Sequence, residues 1–479
     1  MKITMTIAAS ALLLSTTVFG ADDVQAQLDA LTAKIKKLEK MNAYQNKKMS
    51  SLNAQSAHDN IKFNIDFRTS YDKIDYKMAS GTKYDNDALF SNRLWLGMGY
   101  KPSETMMFKG QIAYNKAYGA SYGQRGTGMG FDTFDWIVNE TLGDDTLKLR
   151  EAYWLWTPKT GDIGWTASIG RRPATNGYLI NLRDDDKAKS PMGHIINMEF
   201  DGASGSIQLD HYVPGMYVKL CLGRGLTNAS SWASQATLAV GSPIGGSQYP
   251  NYIPDPGNLD NTDMVGLIFK PYDDGQYSVM SKYYRGFNVP GLKMISPTTA
   301  DMKSLGDMDG AAISAKMEGV GDEWSDFLDE TILFASFAWS QSRPDGTTLA
   351  DAMLGSVDKE SGTSYWVGTQ MPNLTGGRLG LEYNHGSKYW RPFTYGEDTM
   401  AGSKMAVRGD AYEIYWTQPI ISKAFSMQVR YTYMDYDYTG SDGFFGDGGT
   451  PLTLAQAQAE GYDPVDTASD LRVYFRYRY

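Results

Sequence analysis

Few residues in this chain have the makings of a catalytic centre. The histidines are His58, His194, His211 and His385, and Cys221 is the single cysteine. No histidine stands in a nucleophile or metal-ligand motif, no Gly-Xaa-Ser-Xaa-Gly occurs, and one cysteine cannot form a disulfide within the chain. The expectation is no enzyme, no metal and no cofactor. What remains is charge. Arg183-Asp184-Asp185-Asp186-Lys187, with Lys189 just beyond, crowds both signs together. Such a run either sets a local field, or is a solvated surface loop or an adventitious cation site. Arg68, Arg93, Lys109, Arg150 and Arg172 recur on segments with strand periodicity, and each serves as well for a salt bridge to a neighbouring strand. The net charge of −10 argues against a nucleic-acid partner.

These charges must be carried by strands. Ile61, Phe63, Ile65 and Phe67 alternate with Lys62, Asn64, Asp66 and Arg68, so one face is apolar and the other polar. The same period of two recurs around Leu94–Tyr100, Phe108–Asn115, Met216–Leu222, Arg378–Asn384 and Phe425–Tyr433. In Leu147–Trp156, strict alternation would turn Glu151 towards the apolar side, which predicts a bulge or a rim position there. Mean hydropathy is −0.40. No apolar run after the N-terminus reaches the roughly 18 residues of a spanning helix. Short turns at 101–105, 157–162, 212–215, 271–275, 320–327, 372–376 and 418–423 alternate with long polar loops at 73–87, 118–146, 173–203, 225–262, 288–308, 342–362, 387–404 and 439–467. Seven turns and eight loops make sixteen strands. The expected fold is an all-β, closed, antiparallel transmembrane barrel, with every turn on the periplasmic side and every loop outside. Leu471, Val473, Phe475, Tyr477 and Tyr479 carry the alternation to the last residue, like the closing strand that the barrel-assembly machinery recognises.

The N-terminus reads differently. Met1-Lys2, an uncharged stretch from Ile3 to Phe19, and small residues ending at Gly20 predict a signal peptide over 1–20, the alternative being an uncleaved anchor. From Val24 to Leu52, apolar residues fall in alternating steps of four and three, at Val24, Leu28, Leu31, Ile35, Leu38, Met49 and Leu52, with Asn42 and Gln45 as a polar layer. Residues 21–58 are expected to form a coiled-coil stalk, or a lone amphipathic helix, ahead of a barrel over 59–479.

Three phrases carry a resemblance: Gly170-Arg171-Arg172-Pro173, Ser190-Pro191-Met192-Gly193-His194, and the run from Gly380 to Trp390, GLEYNHGSKYW. With the barrel pattern, residues 20–479 resemble the Gram-negative porins, and more narrowly a porin-like outer-membrane family of unassigned function. The resemblance implies an outer-membrane homotrimer, a periplasmic stalk of three parallel helices, and passive diffusion of ions and small hydrophilic solutes. It also implies that the third long loop folds inward. Arg183 to Lys187 would then form the constriction, and Arg68, Arg93, Lys109, Arg150 and Arg172 the opposite wall. An acidic loop against a basic wall makes a transverse field. The basic lumen faces favour anions slightly, because local charge outweighs the total. A structural or adhesive barrel with a blocked lumen is the alternative.

Overall fold

The computed structural model describes residues 61–118, 147–172, 174–229, 252–254, 259–296, 299–321, 324–348, 352–394, 400–441 and 449–479. The expected signal peptide and coiled-coil stalk lie outside them. The described residues of Lys62–Gly99 and Thr105–Tyr479 form one compact unit, a barrel.

The barrel has sixteen strands. The first half comprises β1 (Lys62–Met78), β2 (Lys83–Tyr100), β3 (Met106–Ala117), β4 (Lys148–Trp156), β5 (Ile163–Arg172), β6 (Phe200–Gln208), β7 (Tyr217–Leu226) and β8 (Thr262–Asp273). The second comprises β9 (Tyr277–Ser296), β10 (Thr299–Glu318), β11 (Ile332–Pro344), β12 (Ser361–Pro372), β13 (Arg378–Gly386), β14 (Gly409–Ile421), β15 (Phe425–Tyr436) and β16 (Val465–Arg478). Each is antiparallel to its neighbours in sequence, and β16 pairs with β1, so no edge is left. At the seam, Ile65 and Tyr479 exchange both backbone hydrogen bonds, 2.9 Å each.

Period-two alternation sorts the side chains. Phe67, Leu220, Leu222, Phe337, Val367, Leu381, Ile414 and Phe475 are exposed on the outside, whereas Arg68, Glu382, Glu413, Arg430, Arg472 and Arg476 are buried inside. An apolar exterior over a charged interior suits lipid and not water. Tyr365, Tyr383 and Tyr412 touch one another near the long-loop end. Trp154, Trp156, Trp165 and Tyr477 stand out near the turn end, so aromatic side chains flank the apolar band on both sides. This is the architecture of a Gram-negative outer-membrane barrel.

The sixteen strands and seven short turns agree with the sequence reading, but two loops do not. The expected loop 73–87 is a hairpin whose turn is 79–82, with Gly81 at φ +87°. The expected loop 288–308 is mostly strand, since β9 runs to Ser296 and β10 starts at Thr299. Beyond the lipid a strand needs no apolar face. Side chains such as Lys73 and Asp87, 2.9 Å apart, therefore erase the alternation without ending the ladder.

The lumen is not polar throughout. The third connection (174–199) and the described parts of the seventh (387–394 and 400–408) both turn inward, although the seventh was expected outside. Tyr178, Ile180, Met192, Ile195, Ile196 and Met198 of the third pack with Trp390, Phe393 and Met405 of the seventh. The same cluster includes Ile268, Met280, Tyr284, Met308, Phe334 and Trp366, which face inward from β8 to β12. The two connections are stitched by Asn197 N–H to Phe393 O, 2.7 Å, and Phe393 N–H to Ile195 O, 3.0 Å. Within the third connection, Gly193 lets the chain fold back on itself, because a Cβ there would lie 2.8 Å from Cβ of Ile180.

Candidate functional site: the barrel interior

The third connection leaves β5 and runs across the inner wall. Its path is fixed by named bonds. Tyr178 Oη donates to the carbonyl of Ser278 on β9, 3.0 Å. Gln370 of β12 donates to Leu182 O, 2.8 Å, and Gln428 of β15 to Arg183 O, 2.7 Å. Arg183 meets Glu413 of β14 at 3.2 Å, and Asp184 O accepts from Arg476 of β16 at 3.0 Å. The chain turns at Asp185, φ +51°, and Asp186 pairs with both Arg476 and Arg478, 2.9 Å each. Lys189 then reaches back to Glu151 of β4.

Of the charged run, Arg183 and Asp184 are therefore buried in bonds to the wall, Asp186 is half-buried, and Asp185 and Lys187 are exposed. The five basic wall positions all face inward, in different surroundings. Arg68 lies over the Tyr474 ring at 5.1 Å and Arg93 over Trp95 at 3.6 Å. Arg150 lies on the same Trp95 at 3.9 Å. These three are buried; Arg172 is half-buried, 4.2 Å from the Tyr153 ring, and Lys109 is exposed.

Arg150 has the most specific task. The ladder pairs Gln111 with Glu151 and Ile112 with Leu149, which leaves Arg150 as the extra residue of a β-bulge. The bulge that the sequence pattern predicted at Glu151 thus turns both Arg150 and Glu151 inward. Arg150 binds Thr175 at 2.5 Å and Glu199 at 3.3 Å, the two ends of the third connection. It closes that connection like a clasp.

Sequence reasoning missed a second group. Lys404 of the seventh connection pairs with Glu382 at 2.8 Å and with Glu413, which also holds Arg183. Both inward connections are thereby locked to β13 and β14 through one buried ionic cluster. His194 is fully buried between Trp366 and Trp390, ring centres 5.7 Å away, with Nδ1 2.7 Å from Ser336 Oγ and Nε2 2.9 Å from Ser364 Oγ. Burial pushes its imidazole down to about 3, so it is neutral. Its position joins the third connection to β11 and β12. The alternating inward polar residues of β13 and β14 were legible signals for this cluster; Trp390 and Phe393 within a nominally polar loop were another. No group of three or more metal-binding side chains occurs among the described residues.

Residues 83–479 match the family described as protein of unknown function (DUF3373). No curated protein matches. Among solved structures, Salmonella typhi OmpF in complex with daunomycin is similar at 11% identity and TM-score 0.47, covering 88% of this chain and 99% of that one. Pseudomonas putida OprB at high pH gives 11% and 0.46, with 88% and 94% covered. An anion-selective porin from Comamonas acidovorans gives 10% and 0.45, with 88% and 99% covered.

Proposed function

The chain belongs to this family of unknown function, and we propose that it is a passive outer-membrane channel for ions and small hydrophilic solutes, narrowed by its third connection. The observation that carries the reading is the inward course of residues 174–199 in a closed sixteen-strand barrel, wide enough in principle for a water-filled lumen. The connection consumes part of that width and presents Asp185 and Lys187 at its exposed edge, with Lys109 exposed on the wall. Solutes would meet both signs of charge in a narrow gap, which favours small polar species over large apolar ones. No step of catalysis is part of this reading.

One observation favours a second reading. Arg68, Arg93 and Arg150 are buried, and an apolar cluster fills the side of the interior lined by β8 to β12. A barrel sealed in this way would serve as a structural or adhesive protein through its long loops.

Planar-bilayer recording of the purified protein under a salt gradient separates the two. Steady openings, in steps of three for a trimer, with a reversal potential shifted by Asp185→Asn and Lys187→Gln in opposite directions, are the expected result. Silence from a folded, heat-modifiable barrel would overturn the channel and support the sealed form.

A further inference from the structure

Behind the third connection, the inner wall of β5 to β9 lines a partly open cavity of about 70 Å³. Three cations line it, Arg172 of β5, Lys219 of β7 and Lys282 of β9, and none of the lining residues is acidic. The ladder explains their convergence: Lys219 pairs with Ile268 and Ile268 with Lys282, so the lysines stand in one inward row with one strand between them. In the next inward row Gly266 sits between Cys221 and Tyr284, and its missing side chain leaves the space open. Ser190, Pro191 and Ile196 of the third connection close the other side.

The charges are buried and poorly compensated. Lys219 and Lys282 are 9% and 7% exposed. Lys219 donates to Ser190 Oγ at 2.8 Å, which is a neutral partner. Among the described residues Lys282 has no hydrogen bond or ion pair, and Arg172 Nη1 is buried with no hydrogen-bond partner. Cations taken out of water require opposite charge close by, since an unpaired buried charge is strongly unfavourable. We infer that this cavity is a binding site for a small multivalent oxyanion of the phosphate or sulfate class, held by Arg172, Lys219, Lys282 and the Ser190 hydroxyl. The space is large enough for one such ion. The inference is independent of the channel reading, since a sealed barrel would hold the ion equally well.

Equilibrium dialysis of radioactive inorganic phosphate against the folded full-length protein in detergent tests it. One saturable site per chain is expected, displaced by sulfate but not by chloride at equal ionic strength. Lys282→Met and Lys219→Met should each weaken binding by about tenfold or more, the effect of losing one charge-assisted bond, whereas Lys83→Met in the exposed β1–β2 hairpin should leave it unchanged. Gly266→Ala places a methyl group in the cavity with no contact under 3.4 Å, so it should fold normally and still weaken binding with all three cations intact. Absence of saturable phosphate binding, equal displacement by chloride, or wild-type binding by both Lys282→Met and Gly266→Ala would overturn the assignment.

Discussion

Arg183 and His194 show how single side chains decide whether the interior is filled. Arg183 is buried against Glu413, and its loss leaves that carboxylate with Lys404, Arg430 and Thr432. Removing one partner of a buried pair costs about 3–5 kcal/mol, and the remaining partners place this case near the lower end. Arg183→Ala should therefore loosen the third connection while the barrel stays folded. Cys221, partly buried behind that connection, is a native reporter: its labelling by a thiol reagent should accelerate by up to about a hundredfold, the ratio that ~3 kcal/mol implies. An unchanged rate would mean that Arg183 does not hold the connection. His194 predicts a pH dependence. Its folded-state value of about 3 lies below the ordinary 6.5, so docking is fully stable above about pH 6.5 and weakens as pH falls towards 3, by about 1.4 kcal/mol per pH unit. Acidification should red-shift the fluorescence of the adjoining Trp366 and Trp390, and His194→Gln should remove that pH-linked part of the shift. An identical titration in the variant would exclude His194 as its source. At this scale the sequence was partly legible. The inward alternation of Arg68 and Arg93 followed from period two alone. The pairing of Arg183 with Glu413 did not, because nothing local links residues 230 positions apart.

At the scale of elements, the third and seventh connections behave as one inserted piece. Trp390 is fully buried, donates to Met405 O at 2.7 Å, and its own carbonyl accepts from Arg408 at 2.9 Å. Trp390→Ala should remove about 3–5 kcal/mol of packing from the insert. The barrel ladder does not depend on it, so heat-modifiable migration on gels should persist while Cys221 labelling rises and single-channel conductance increases. Loss of the heat-modifiable band would show instead that barrel and insert fold as a unit. The short turns were legible because Gly, Pro, Asn and Asp punctuate them. The hairpin ends beyond the lipid were not, since charged side chains on both faces look the same in a strand and in a loop. The seventh connection was misplaced for a different reason. The polar stretch 387–404 read as an outer loop, yet its Arg391 and Lys404 are buried among carboxylates and carbonyl groups.

For the whole barrel, closure depends on the last residues of the chain. Phe475 to Arg478 pair with Thr69 to Asp66, and Tyr479 completes the seam with Ile65. Deleting Leu471–Tyr479 removes most of the β1–β16 ladder and leaves β1 as an open edge, so no heat-modifiable form should appear. Tyr479→Ala keeps the backbone bonds and should still give one; folding of the deletion would refute the dependence on closure. The strands that carry the interior cluster have another consequence, felt before any barrel exists. In β11, Leu333 and Phe337 face outward while Phe334 and Ala338 face inward, and in β12 Tyr365 and Val367 flank the inward Trp366. Such strands are greasy on both sides, as is β8, where Leu267 and Phe269 face outward around the inward Ile268. While the polypeptide travels unfolded through water to its membrane, the run Ile332–Trp339 is the stretch most exposed to sticking to its own kind. Escort by holding chaperones would matter most there, and charges introduced at that run would ease the journey while spoiling the destination.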